Sequence, residues 1–393
     1  MPPHVPAHPG QRGLRGPPGS GHGHLRLARG SGRTRSRGVP RALRRTGRRT
    51  AGPDGPRGVL RRPAPADRGR PARHLMGRPT MERPQQLDYA AVRAAAARIE
   101  GGVRPVTVAP AADGVWYALE YLQHTGSFKA RGARNFLAAH HDAATLPAAG
   151  VTIASGGNAG LACAWAARAL AVPATVFLPA NAPRVKVERL RGYGADVRLV
   201  GDRYAEALAA CREFAAASGA LSSHAYDHPL IAAGAGTLLD EIRDALPGLD
   251  TVVVAVGGGG LFAGVATAAR EHGVHVVAAE PENCRALNAA LEAGRPVDVA
   301  VDSVAADSLG ATRVSADALA AAQAKNVTSV LVPDEAITAA RRAVWEEHRI
   351  VVEAGAATAL AALREAPEPL GERVAVILCG ANTDPRDLAG PAA

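Results

Sequence analysis

Between Val151 and Cys379, short apolar runs alternate with longer stretches whose apolar positions recur at helical spacing. The runs VTIAS (151–155), ATVFLP (174–179), DVRLV (196–200), TVVVAV (251–256), HVVAAE (275–280), SVLVP (329–333) and VAVILC (374–379) predict strands. Several lack any polar alternation, as strands do when both sheet faces are covered. Helices are predicted over LACAWAARALA, PRVKVERLRGY, RYAEALAACREFAAAS, GTLLDEIRDAL, AITAARRAVWEEH and AATALAALREA, which lie between most of the strands. Upstream, YAAVRAAAARIE reads as a helix stopped by Gly101 and Gly102. A strand pair, VRPVTV (103–108) and VWYALEYL (115–122), is predicted after it. The pattern is that of an α/β protein with parallel sheets flanked by helices. A small α/β domain over 150–228 is expected to interrupt a larger one made of 81–149 and 229–393.

Residues 1–80 break the pattern. They hold 19 arginines, no lysine and two acids, a net +17, which leaves −7 on the rest of a chain whose total is +10. Rich in Gly and Pro and nearly without aliphatic periodicity, the segment cannot bury enough surface to offset its chain entropy, so a disordered basic tail is expected. It lacks the continuous apolar stretch of a secretory signal. A polyanion-binding tail and an organelle-targeting segment are alternatives. The expectation is that it contributes nothing to function, with Met76 or Met81 as the natural start, and that no nucleic acid is bound.

Cys163, Cys211, Cys284 and Cys379 stand far apart, without zinc-type spacing, which fits a reducing cytoplasm and no disulfide framework. Thr251–Ala269 is uncharged and about 19 residues long, near the length of a membrane span. Four central glycines behind a strand-like run argue against one, and no membrane segment is expected.

Candidate chemistry gathers at four places. The chain has three lysines, Lys129, Lys186 and Lys325. Lys129 precedes the helical-looking ARGARNFLAA, and an amine at a helix start is disfavoured in its charged form. Lysine differs from arginine in that it can be deprotonated and can form a Schiff base. Ser155, Gly156, Gly157 and Asn158 join a strand to a helix with free N–H groups, a cradle for a carboxylate or phosphate; a plain turn with an Asn cap explains them equally well. Gly257, Gly258, Gly259 and Gly260 let backbone amides converge on an anion. Gly258, Gly260 and Ala263 also fit GxGxxA, with Glu280 about 20 residues on, the pattern of a nicotinamide oxidoreductase; that reading leaves Lys129 and the SGGN turn unexplained. Cys379 and Asn382 end the last strand, where a buried small residue and a turn are the bland alternative. His224, Asp227 and His228 have metal-like proximity, but Pro229 keeps the histidines off one helix face, and no metal site is expected.

Taken in order, SFKARGA, SGGNAG, HAYDHPLIAAGAGT, GGGGLFAG, the AEP around Glu280, EAGAA and CGAN resemble the fold-type II pyridoxal-phosphate enzymes, most closely the serine/threonine dehydratase group. The likeness covers roughly residues 84–385. It implies a two-domain fold, pyridoxal 5'-phosphate as cofactor, an amino-acid substrate, a homodimer and the elimination of a 2-amino-3-hydroxy acid to a 2-oxo acid and ammonia. By the resemblance, Lys129 joins the cofactor's aldehyde, Phe128 packs on its ring, and Gly257–Gly260 with Leu261 hold its phosphate. Asn158 meets the ring hydroxyl, Cys379 faces the pyridine nitrogen, and Glu353 lines the pocket. Ser155 and the backbone of Gly156, Gly157, Asn158 and Ala159 take the substrate carboxylate. Within the family, a hydroxyaspartate or phenylserine dehydratase, a serine racemase and a β-replacement synthase are alternatives. Racemases of this fold carry a second serine where this chain has Gly156, and relatives that bind a cation near Glu280 carry a carboxylate where this chain has Ala286. From the short stretch left after CGAN, the regulatory domain of the biosynthetic threonine enzymes is not expected.

Overall fold

The structure is a computed structural model, which describes residues 87–366 and 369–388. The expectations for residues 1–80, including the start at Met76 or Met81, lie outside the described residues. Helix α1 (Tyr89–Ile99) is capped by Asp88, whose carboxylate accepts from the Ala91 N–H at 2.7 Å. Strands β1 (Val108–Ala112) and β2 (Val115–Ala118) then form an antiparallel hairpin turned by Gly114 at φ +71°. The strand expected over 103–108 therefore begins where it was expected to end. Proline has no N–H for a ladder, and Pro105 lies in the irregular stretch that precedes the strand.

Helix α2 (Lys129–Asp142) leads to four parallel strands, β3 (Val151–Ala154), β4 (Ala174–Leu178), β5 (Asp196–Leu199) and β6 (Leu221–Ser222). Between them lie α3 (Asn158–Ala169), α4 (Arg184–Gly192) and α5 (Tyr204–Ser218). Helix α6 (Pro229–Ala245) begins seven residues before the predicted GTLLDEIRDAL, and β7 (Thr251–Ala255), α7 (Gly260–His272) and β8 (His275–Pro281) follow. Three helices absent from the sequence reading, α8 (Ala286–Ala293), α9 (Ala306–Leu309) and α10 (Ala316–Ala322), precede β9 (Val327–Val332). Helices α11 (Asp334–His348) and α12 (Ala354–Glu365) then lead to β10 (Val374–Ile377).

The strands form two sheets, one ordered β1-β2-β10-β7-β8-β9 and one ordered β5-β4-β3-β6. Every pairing except β1–β2 is parallel. The second sheet interrupts the first in sequence, and β10 returns from the end of the chain to lie between β2 and β7. All residues of β7 and β10 are buried, whereas β5, an edge strand, is mostly exposed. This contrast explains why the central runs are apolar throughout while DVRLV alternates. No helix among the described residues is long and apolar enough to cross a membrane.

Two features hold α2 in place. A Cβ on Gly132 would lie 2.6 Å from the Ile231 carbonyl, so only glycine lets α2 approach α6 this closely. Two residues beyond Lys129, Arg131 has a fully buried side chain. Its Nε donates to Glu120 Oε1 at 2.6 Å, its Nη1 to Glu241 Oε1 at 2.5 Å and its Nη2 to Glu241 Oε2 at 2.8 Å. Two carboxylates hold the guanidinium firmly in its charged form, and Glu241 also accepts from the Val106 N–H at 2.8 Å. One side chain thus ties the turn after β2 to α2 and α6.

Removing one member of a buried ion pair leaves the other charge without compensation, at about 3–5 kcal/mol. Arg131→Leu is expected to lower stability by that amount in urea unfolding, and the Arg131→Leu/Glu120→Leu double variant to recover at least half of it. Equal losses in the single and double variants would show that stranded charge is not the cause.

Candidate active site

The Lys129 turn is sewn to the end of β10. Phe128 N–H donates to the Cys379 carbonyl at 3.0 Å, Ala381 N–H to Gly126 at 3.0 Å, and Ser127 bridges Gly380. Lys129 is therefore the first residue of α2, as the sequence implies. Its Nζ lies 4.5 Å from the centre of the Phe128 ring and donates to the Ala225 carbonyl at 2.9 Å. Burial pushes the amine down to about 8, against the Cys379 and Glu353 groups, which favour its charged form. The dominant cause is thus desolvation rather than the helix terminus to which the sequence points.

Facing the same space is the start of α7. Gly259 has φ +93°, a conformation that suits glycine, and a Cβ there would meet the Ala318 Cβ at 2.3 Å. A Cβ on Gly258 would lie 2.3 Å from the Tyr226 ring, and one on Gly260 would lie 2.8 Å from the Tyr226 carbonyl. The first N–H groups of a helix have no acceptor within it, so this turn presents bare donors suited to an anion.

The SGGN turn occupies the end of β3. Gly157, rather than Asn158, is the cap of α3, and Asn158 is its first helical residue. The Asn-cap explanation therefore fails, because the side chain is engaged elsewhere. Asn158 Nδ2 donates to both oxygens of Glu353 at 3.0 Å, and Asn158 Oδ1 accepts from Asn382 Nδ2 at 2.6 Å. Asn382 N–H also reaches Glu353 Oε1 at 2.7 Å. Burial raises the Glu353 carboxyl above the usual carboxylate range, opposed by these amide donors. Burial and, after it, the Glu353 carboxylate push the Cys379 thiol up to about 12, so it stays protonated near neutrality.

These segments enclose one cavity of about 640 Å³. Phe128, Lys129, Ser155, Gly156, Gly157, Asn158, Ala159, Gly257, Gly258, Gly259, Gly260, Leu261, Glu353 and Cys379 all line it. Sequence reasoning missed Ala225, Lys186, Tyr204 and the stretch 306–312, which also line it. Ala225 contributes a main-chain carbonyl, which no residue type advertises. Tyr226 sits inside the HAYDHPLIAAGAGT motif, whose histidines shape the turn: His224 Nδ1 accepts from Asp227 N–H at 2.9 Å, and His228 Nδ1 accepts from Leu230 N–H at 3.1 Å. Glu280 accepts from Leu287 N–H at 2.7 Å and Asn288 N–H at 2.8 Å, so its carboxylate serves the start of α8 rather than a ribose. Among the described residues, no group of His, Cys, Asp and Glu could hold a metal ion.

Comparison with known proteins points to one family. The model of the pyridoxal-phosphate dependent enzyme family matches residues 101–380. An L-threonine ammonia-lyase of Geobacter sulfurreducens is 38% identical over 278 residues, 70% of this chain and 68% of its own. A mouse serine dehydratase-like protein is 39% identical over 285 residues, 68% of this chain and 85% of its own. The structure of maize serine racemase, 27% identical, superposes with a TM-score of 0.72 over 77% of this chain and 95% of its own.

The residues present fit that family's cofactor: a buried amine of lowered pKa stands for its aldehyde, and a glycine cradle that side chains would fill stands for its phosphate. With the family model covering the greater part of its length, the chain belongs to the pyridoxal-phosphate dependent enzymes.

Proposed function

We propose that this enzyme eliminates water from a 2-amino-3-hydroxy acid, L-threonine or L-serine, to give a 2-oxo acid and ammonia. The observation that carries the reading is the buried Lys129 amine in one cavity with two separate backbone anion cradles. The similarity to a threonine ammonia-lyase and a serine dehydratase-like protein supports the same chemistry.

Pyridoxal phosphate, when bound, supplies an aldehyde that captures the substrate amine and a conjugated ring that takes up the electron pair left at Cα. Gly257–Gly260 and Leu261 would hold its phosphate on backbone amides, and Lys129 would hold its aldehyde. Ser155 and the amides of Gly156–Ala159 orient the substrate carboxylate. Lys129, whose amine burial brings down to about 8, takes the Cα proton in its uncharged form. Water leaves from Cα and Cβ, and hydrolysis of the resulting enamine returns one water and releases ammonia. The Cys379 thiol, uncharged at this depth, cannot stabilise a ring-nitrogen proton as a carboxylate would. That favours early departure of a leaving group over transamination.

Gly156 weighs against racemisation. It offers no proton, and a Cβ at that position would lie 2.7 Å from Leu178 Cδ2. We further propose residues 150–228 as the small domain, 81–149 and 229–393 as the large one, and a cytoplasmic homodimer. Four buried free cysteines accord with a reducing compartment.

With L-threonine or L-serine, the purified enzyme is expected to release equimolar 2-oxo acid and ammonia, read by a coupled reductase assay. D-amino acid from the L-form without oxo acid would overturn the elimination. A second measurement concerns the amine alone. Stripped of cofactor, the protein is expected to take up pyridoxal phosphate faster as pH rises, with a midpoint near 8, because the protonated amine below that pH is not a nucleophile. A midpoint above 10, where an exposed lysine titrates, would contradict burial as the cause.

A further inference from the structure

Of the 46 lysines and arginines in the chain only three are lysines, and two of those three line the same cavity. Lys129 has its part in the chemistry above; Lys186 has none. It lies in the first turn of α4, a helix attached to the second sheet, and its Nζ donates to Asp307 Oδ1 of α9 at 2.9 Å. The pair therefore closes the cavity wall between an element of one sheet and an element of the other.

The same two residues, with Gly156, Gly157, Asn158 and Arg189, border a crevice of about 30 Å³ beside the cavity. That is room for a water molecule or two, so the ammonium and the SGGN turn are near neighbours. Arg189 turns its Nη2 to Asn382 Oδ1 at 2.6 Å and borders the crevice without lining the cavity itself. Lys129 and Lys186 are the two cationic side chains of the cavity wall, and Lys129 is committed to the cofactor. A substrate carboxylate entering this space meets the Glu353 and Asp307 carboxylates and the cofactor phosphate, all of like sign. Backbone dipoles alone must offset them unless a cation helps.

We propose that Lys186 is a substrate-binding residue, its ammonium joining the Gly156–Asn158 amides on the α-carboxylate of the amino acid, with Asp307 as the counter-ion that holds it before substrate arrives. Asp307 is 78% exposed, and a pair so open to water is weak and readily exchanged. The compact ammonium on a flexible stem can swing between two carboxylates, whereas the larger planar fork of arginine is less suited to a crevice of this size.

This rests on the proposed function for the identity of the ligand, and glycine separates the two. It carries the carboxylate and amine but no leaving group, so its binding to the holoenzyme, read from the cofactor's visible absorbance, does not depend on elimination. Lys186→Met is expected to raise the glycine Kd about tenfold or more, and the KM for L-threonine in parallel, with kcat changed far less. Lys186→Arg keeps the charge but brings the larger fork, and is expected to recover only part of the loss. Asp307→Asn releases the ammonium and is expected to lower the Kd a few-fold. Cofactor absorbance in each variant reports that the site is still assembled. The proposal is overturned if Lys186→Met and Asp307→Asn raise the Kd alike, which marks the pair as a structural latch, or if Lys186→Met leaves it within twofold. Tight glycine binding without oxo acid from L-threonine would overturn the elimination and leave the role of Lys186 standing.

Discussion

The structure depends on desolvating one amine with no carboxylate hydrogen-bonded to it. Among the described residues, Lys129 Nζ has a neutral carbonyl, that of Ala225, as its hydrogen-bond partner. An ammonium so placed loses its hydration and gains little in return, so its proton is held less firmly than on an exposed lysine. A base whose proton leaves close to working pH is what removal of a Cα proton requires. The surrounding structure serves that end. The Phe128–Cys379 hydrogen bond fixes where α2 begins, and Arg131, two residues on, anchors the first turn between Glu120 and Glu241.

Three chain segments far apart in sequence converge on a second arrangement. Asn158 follows β3, Glu353 precedes α12 and Asn382 follows β10, yet their side chains and amides form one hydrogen-bonded triangle. It joins the start of α3, built on the second sheet, to two elements of the first. Movement of one sheet against the other would be felt directly at the turn that is proposed to hold the substrate.

Much of this is legible in the sequence. The seven strands predicted from Val151 onward are all present: those buried on both faces write themselves as unbroken apolar runs, and the edge strand β5 as an alternating one. The glycine cradle and the lysine were legible because each is a local departure from composition: four glycines in a row, and a lysine in an arginine-rich chain. What escaped is long-range or carries no side-chain signature. Ala225 acts through a carbonyl, and the 306–312 stretch reaches the cavity only because β8 and β9 lie side by side. Asn158 was open to reading as a cap, since its partner Glu353 is 195 residues away. The early strand was placed too far upstream because Val103 to Val108 is apolar enough to mimic one, while Pro105 withholds the N–H a ladder needs.

The most direct test is chemical. Borohydride treatment of the pyridoxal phosphate-loaded enzyme, followed by digestion and mass spectrometry, should leave the reduced cofactor's mass on the peptide containing Lys129 and on no peptide containing Lys186 or Lys325. Cofactor mass on either of those lysines, or none on Lys129, would contradict the account at its root.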